Sequence, residues 1–236
     1  MKIIDTAMVL AAGFGKRLKP ITDNLPKPLV LYNGKPMIEY VLSKLENFGI
    51  KKIIINSHYL HEKMQDYFQN RKSLAKIILL YEKNILGTGG ALKNALPYLI
   101  DTNTIILHNA DVISDVNLTE FAKFHFSQKS DVSLCVQNRP SNRNLIVNSN
   151  SIIIGRVENS QNVIYSKYSK ENQNFSYFAF CGIHLINTEI LKYLPEENEF
   201  DIIPYYMNLI RNGFKLSAYD ISSVSWKDLG TPLKLS

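Results

Sequence analysis

The sequence has little cysteine: Cys135 and Cys181 are the only two in 236 residues, and both sit in apolar, strand-like runs. That excludes a disulfide-stapled secreted scaffold; we expect two buried free thiols in a reducing compartment, the cytoplasm. No apolar run approaches the roughly 18 residues needed to span a bilayer, so no membrane partner is expected. The opening stretch "MKIIDTAMVLAAG" has one early lysine and is interrupted by Asp5, so it reads as a first strand and not as a secretion signal. Basic residues never run longer than a pair such as Lys51-Lys52, and no aromatics interleave with a basic stripe. The net charge of +6, from 27 basic and 21 acidic residues, therefore reflects scattered lysines, and no nucleic-acid partner is expected. The chain has no Pro/Gly linker, internal repeat or low-complexity tail. Its histidines, at 58, 61, 108, 125 and 184, lack metal-ligand spacing, and His58 and His61 read as surface or capping residues at a strand–helix junction. No Ser-His-Asp or Cys-His set has credible spacing for a covalent nucleophile.

What is present is alternation. Strands are expected at 6–11, 51–56, 76–81 and 104–111, with helices at 36–48, 60–69 and 89–99 between them. Pro36 suits a first helical turn and Gly49 a C-terminal stop. Continuous apolar strands separated by helices predict a mainly parallel sheet covered on both faces. The second half is richer in strands, at 130–137, 144–150, 151–157, 175–187, 215–220 and 224–228, with helices at 188–194 and 201–212. The expected fold class is α/β: a three-layer, Rossmann-like, mixed but mostly parallel sheet with helices on both faces. We read one domain over 1–236, with a nucleotide-binding half over about 1–115 and a substrate half over about 116–236.

The most informative stretch is "LAAGFGKRLKP" at 10–20, a glycine-rich turn leaving an apolar run. A Walker loop needs G-x-x-x-x-G-K-[ST], but Arg17 follows Gly15-Lys16 and no Ser or Thr is there to hold magnesium. A dinucleotide fingerprint needs a third glycine where Leu18 stands. What remains is G-x-G-x-R, then Thr22 and "PKP" at 26–28. Glycines let a backbone approach phosphates closely, Arg17 can donate two parallel hydrogen bonds, and Lys27 is carried on a stiffened backbone.

Residues 10–30, "LAAGFGKRLKPITDNLPKPLV", closely resemble the signature of the sugar-1-phosphate nucleotidyltransferases, L-A-x-G-x-G-x-R-[LM]-x-P-x-T-x-x-x-P-K-[PA]. The resemblance continues through "LGTGGALKNAL" (86–96), "HNAD" (108–111), "FCGIHLIN" (180–187) and "WKDLGTP" (226–232), and so covers nearly the whole chain. It looks most like the short, single-domain branch, which pairs UTP with N-acetylmuramate 1-phosphate or GTP with mannose or heptose 1-phosphate. With six residues after Gly230, we expect no appended left-handed β-helix domain.

The resemblance implies the nucleotide-diphospho-sugar transferase fold and an EC 2.7.7 type reaction, in which a sugar phosphate attacks a nucleoside triphosphate and pyrophosphate leaves. It implies Arg17 on the β- and γ-phosphates and Lys27 on the α- or sugar phosphate. Leu10, Ala11, Ala12, Gly13 and Gly15 would line the nucleotide. Glu82 and Gly87 would face the base edge, with Thr88 opening the next helix. The glycine-rich start of that helix also suits an anion. Asp111 and Asp228 would hold Mg2+ as hard oxygen ligands. Asn109 and Gly182 fall where the family touches the sugar; alternatively, Asn109 only steadies the turn before Asp111 and Gly182 only leaves room in strand packing. The expected partners are a nucleoside triphosphate and a sugar 1-phosphate, and the expected assembly is a monomer or homodimer.

Two departures stand out. The mid-chain Glu-Lys pair of many relatives has no counterpart; "GRVENSQN" (155–162) offers Arg156 and Glu158 as a poor match. "NRPSNRN" (138–144) could offer Arg139 and Arg143 to a phosphate but is read as a solvated loop, and Trp226 is expected to pack beside the metal loop. Rival readings are a glycosyltransferase of related fold and a non-catalytic nucleotide-sugar sensor. The first wants an Asp-x-Asp motif, against which "DVISD" places three residues between Asp111 and Asp115; the presence of Arg17, Lys27, Asp111 and Asp228 opposes the second.

Overall fold

The computed structural model describes residues 4–166 and 174–231; Pro232, the last residue of the "WKDLGTP" segment, lies outside them. In chain order the strands are β1 (Thr6–Leu10), β2 (Leu31–Tyr32), β3 (Lys35–Pro36), β4 (Lys52–Ser57), β5 (Lys76–Tyr81), β6 (Thr104–Asn109) and β7 (Val112–Ser114). They continue with β8 (Val132–Gln137), β9 (Asn144–Val147), β10 (Ile153–Glu158), β11 (Gln161–Ile164), β12 (Ser176–Asn187), β13 (Leu216–Asp220) and β14 (Trp226–Asp228). The helices are α1 (Met37–Phe48), α2 (His61–Asn70), α3 (Gly87–Asn94), α4 (Leu118–Ser127) and α5 (Ile202–Arg211).

One ten-stranded sheet runs through both halves, in the order β11-β10-β9-β12-β6-β1-β4-β5, with β8 beside β12 and β13 beside β8. From the pairings, only β12 and β10 run against the other strands of this sheet. Strands β1, β4 and β6 are continuous apolar runs because both of their faces are covered. Alternate residues enter opposite cores: Ala7, Val9 and Ile106 pack with α1, α2 and α4, whereas Met8, Ile105 and Leu107 pack with α3 and α5. That is the expected three-layer arrangement. A third, small core of Leu18, Val30, Tyr32, Met37 and Leu229 lies under the segment that follows the glycine-rich turn.

Several boundaries differ from the sequence reading, each for a local reason. Helix α1 begins at Met37 with Pro36 as its N-cap, and Gly49 ends it at φ 103°. The helix expected over 89–99 is α3, which starts two residues earlier and stops at Asn94. Pro97 has no N–H to continue it, and Leu96–Tyr98 forms a tighter turn. The expected helix at 188–194 is the 3-10 turn Thr188–Tyr193, with the Tyr205 hydroxyl donating to Ile190 O at 2.6 Å and so occupying one of its carbonyls. The hairpin β2–β3 and the short strands β7 and β11 were not expected. Nor was the partner of the last strand: among the described residues β14 pairs antiparallel with β7, outside the main sheet.

Candidate active site

The parallel strands β5, β4, β1 and β6 end at one edge of the sheet. There they present, in spatial order, Glu82, Asn56, the turn from Leu10 to Gly13, and Asn109 to Asp111. With neighbouring strands about 4.8 Å apart, Glu82 and Asp111 lie three spacings, or about 14 Å, from each other. Carboxyl edges of this kind are where open α/β sheets take ligands. A cavity of about 260 Å³ opens along the row. Of the residues singled out from sequence, Leu10, Ala11, Ala12, Gly13, Lys27, Glu82, Gly87, Thr88, Asn109 and Asp111 line it, whereas Gly15, Arg17, Gly182 and Asp228 stand outside its lining.

The β5 end is built on Asn56, which sequence reasoning missed. Its Oδ1 accepts from Ala11 N at 2.8 Å, and its Nδ2 donates to Glu82 Oε1 at 2.8 Å. Glu82 is 2 % exposed, and its second oxygen accepts from Leu86 N at 3.3 Å. Burial pushes the Glu82 carboxyl above its ordinary range, and the Asn56 and Leu86 bonds partly offset that. Glu82 thus stands at the cavity with both oxygens engaged, fixing the turn rather than offering a free carboxylate. The only signal for Asn56 was a polar residue closing the apolar run "KKIIIN". His58 and His61, read as surface or capping residues, are half-buried and cap no helix among the described residues: His58 Nδ1 lies 2.7 Å from Glu82 O and His61 Nδ1 2.7 Å from Ser57 Oγ.

The two loop glycines serve different needs. A Cβ on Gly13 would meet nothing within 4 Å, so this residue leaves open space on the cavity. Gly15 has φ +66°, and a Cβ there would lie 2.9 Å from Thr22 Cγ2 and 3.0 Å from Lys27 Cβ. Thr22 Oγ1 also donates to Gly15 O at 3.0 Å. Gly15 therefore seats the lysine rather than lining the cavity. The Lys27 ammonium is bonded to Asp111 Oδ2, and both side chains are largely buried.

The chain's last strand completes this end. In the β7–β14 pair Asp228 faces Val112, and Leu229 N donates to Asp111 O at 2.9 Å, which brings the backbones of the two aspartates side by side. Asp228 Oδ1 accepts from Gly230 N at 2.7 Å. A Cβ on Gly230 would lie 2.6 Å from Arg17 Nη2 and 2.7 Å from Asp228 Oδ1, so Gly230 leaves room for the guanidinium beside that carboxylate. Lys16 is exposed and lies 5.3 Å from the Phe14 ring centre.

On the other side of β6, Gly182 sits in an irregular stretch of β12 at φ +75°, and a Cβ there would come within 2.7 Å of Asn109 Nδ2. Asn109 and Gly182 are therefore in contact. His108 Nδ1 donates to Asn109 O at 2.8 Å, and burial lowers this imidazole to about 4, so it is neutral. The buried thiols are free, with burial pushing Cys181 up to about 12 and Cys135 upward as well.

Two further expectations are corrected. The start of α3 is not an open anion site, because Gly89 N and Gly90 N donate to Phe200 O at 2.9 and 3.1 Å. A Cβ on Gly90 would lie 2.1 Å from Asn198 O, so the glycines let the 198–200 segment press onto the helix. Thr88 Oγ1 accepts from Ile202 N at 2.9 Å and so caps α5. The second correction concerns Arg139, which is half-buried and not part of a freely solvated loop: it lies over the Trp226 ring at 4.4 Å and donates to Phe180 O at 3.0 Å. Arg143 is exposed, as expected, and Arg156 pairs with Glu158 at 2.7 Å.

A three-layer mixed sheet with a glycine-rich turn and paired acidic and basic residues at its carboxyl edge has the architecture of the nucleotide-diphospho-sugar transferases. The chain belongs to the nucleotidyl transferase family, whose sequence pattern matches residues 6–236. It is 29 % identical over 235 residues to the bifunctional protein GlmU of Methanocaldococcus jannaschii, covering 96 % of this chain and 51 % of that protein. It is 35 % identical over 131 residues to the D-glycero-alpha-D-manno-heptose 1-phosphate guanylyltransferase of Aneurinibacillus thermoaerophilus, covering 56 % of each. The chain thus spans little more than half the length of these curated relatives. Its fold is similar to that of a putative glucose-1-phosphate thymidylyltransferase from Bacillus anthracis, with a TM-score of 0.79 and 22 % identity over 98 % of this chain and 92 % of the other.

Proposed function

We propose that the protein transfers a nucleotidyl group from a nucleoside triphosphate to a sugar 1-phosphate, releasing pyrophosphate. The observation that carries this reading is the meeting of Lys27, Asp111, Asp228 and Arg17 at one end of a cavity floored by residues 10–13. The row of about 14 Å from Glu82 to Asp111 suits a nucleoside monophosphate laid across the strand ends, base toward Glu82 and α-phosphate toward Asp111. Beyond Asp111, Asn109 and Gly182 face the acceptor sugar.

A sugar-phosphate oxygen forms a bond to the α-phosphorus, and the bond from that phosphorus to the β-phosphate oxygen breaks in line. Positioning and charge stabilisation supply most of the catalysis in such a step. Lys27 leaves Asp111 to hold the α- or sugar phosphate, and Arg17 grips the departing pyrophosphate. Ala11, Ala12 and Gly13 pack against the nucleotide, with Gly15 seating Lys27. Gly87 and the turn fixed by Glu82 border the base. Thr88 anchors the cavity wall through α5. Asp111 and Asp228 would hold magnesium through hard carboxylate oxygens, and the ion would offset the negative charge of the phosphates. Among the described residues no group of three or more His, Cys, Asp or Glu is placed to hold a metal.

The pairs to test first are GTP with mannose or heptose 1-phosphate and UTP with N-acetylmuramate 1-phosphate. In this reading residues 1–236 act as one domain, as a monomer or homodimer in the cytoplasm, in nucleotide-sugar synthesis for a cell wall or surface polysaccharide. Among the described residues no helix is long and apolar enough to cross a membrane. The test is pyrophosphate release across a matrix of triphosphates and sugar 1-phosphates with magnesium. Release from at least one pair is expected; no release from any pair, together with tight nucleotide-sugar binding, would sink the enzyme reading in favour of a sensor.

A further inference from the structure

Arg139 lies just past the carboxyl end of β8, at the same sheet edge as Asn109 and Asp111. Its guanidinium sits over the Trp226 ring, 4.4 Å from the ring centre, and donates to Phe180 O at 3.0 Å. Its Nε is sealed from solvent and has no nitrogen or oxygen partner among the described residues, and the guanidinium also neighbours the Cys181 thiol. The aromatic face and the Phe180 carbonyl together fix where the guanidinium lies.

Trp226 is held on its edge as well, because Nε1 donates to Cys181 O at 2.9 Å. It lies two residues from Asp228 on β14, so the two side chains leave the same face of that strand. Strand β14 is three residues long and, among the described residues, pairs only with the equally short β7. A ladder that short is marginal on its own, so its placement depends on side-chain anchors. Arg139 and Cys181 O supply them, and the same contacts hold the stretch of β12 that brings Gly182 against Asn109.

We infer that Arg139 is a positioning residue: it clamps Trp226 and thereby sets Asp228 against Asp111. The inference rests on the nucleotidyl transfer proposed above. Arg139→Lys keeps the charge but loses the planar stack, and Arg139→Ala loses both. Partners that orient metal ligands typically contribute about 10- to 100-fold in metal affinity or activity.

Trp226 is the only tryptophan, so its emission reports on this clamp directly. The full chain and both variants are titrated with magnesium at fixed GTP or UTP, without sugar, while Trp226 emission is read. Pyrophosphate release is measured against magnesium in parallel, and melting temperature serves as the folding control. The expected result is an emission change in the wild type and a half-saturating magnesium concentration raised about tenfold in Arg139→Lys and further in Arg139→Ala, with the Lys variant melting near the wild type. Half-saturation within twofold of the wild type in a folded variant overturns the inference, as does a wild-type emission that does not respond. If the wild type releases no pyrophosphate with any pair, the transfer reading falls, and the emission titration still decides the role of Arg139.

Discussion

Asn56 and Glu82 close the carboxyl ends of β4 and β5 with a 2.8 Å hydrogen bond, and Asn56 also accepts from Ala11 N. One amide side chain thereby links three neighbouring strands under the cavity. Asn56→Ala removes both bonds and leaves one oxygen of the buried Glu82 carboxyl and the buried Ala11 N–H without that partner, while Leu86 N still donates to the other oxygen. The expected cost is about 3 kcal/mol of stability, read by urea unfolding, with a raised KM for the triphosphate. A variant as stable as the wild type would show that the linkage is incidental.

The glycines divide into two groups with opposite outcomes. Gly13→Ala meets nothing within 4 Å and needs no left-handed backbone, so stability should stay within about 0.5 kcal/mol while nucleotide affinity falls. Gly90→Ala drives a methyl to 2.1 Å from Asn198 O and should cost about 2 kcal/mol or more. Thermal melts of both proteins, with nucleotide titrations of the first, check the pair; the reverse pattern would place the ligand away from Gly13.

Arg17 is exposed and touches the strand end at Gly230, so Arg17→Ala should fold normally. Its turnover should fall at least about tenfold, in keeping with the loss of one charge donor in phosphoryl transfer. Asp111→Asn should fall by a similar factor or more. Initial rates of pyrophosphate release decide both, and full activity in either would remove that residue from the site.

His184 is fully buried beneath Phe180 and Tyr206, with its Nδ1 2.8 Å from the Tyr206 hydroxyl. Burial lowers it from 6.5 to about 3. The unfolded chain therefore takes up this proton first as pH falls, so stability present above pH 6.5 drains away between 6.5 and 3. At pH 5 the loss from this one group is about 2 kcal/mol. His184→Phe should flatten the fall in urea-unfolding free energy between pH 7 and 5; an unchanged slope would assign the acid sensitivity elsewhere.

How legible these features were in the sequence depended on how local their causes are. The strands β1, β4, β5 and β6 announced themselves because burial on both faces demands apolar runs, and Gly49 marked the end of α1 by its backbone alone. Lys27 and Asp111 stood out through their neighbours in chain order, although nothing in either segment states that they are bonded. Asn56 was hidden because a single polar residue after "KIII" carries no period. Arg139 was misread because a loop rich in Asn, Pro and Ser looks solvated until Trp226, far along the chain, supplies the ring it lies against. The glycines of α3 suggested an anion site, and only the fold reveals that Phe200 takes their N–H groups.

The pairing of β14 with β7, apart from the main sheet, has a consequence for how the site comes into being. All ten strands of the large sheet, and with them the cavity floor, precede Trp226 in chain order. Asp228, Gly230 and the ring beneath Arg139 arrive only afterwards. A chain cut at about residue 225 would keep every strand of the large sheet but lose Asp228, the Trp226 ring and Leu229 of the third core, so it should unfold cooperatively at a lower melting temperature and release no pyrophosphate.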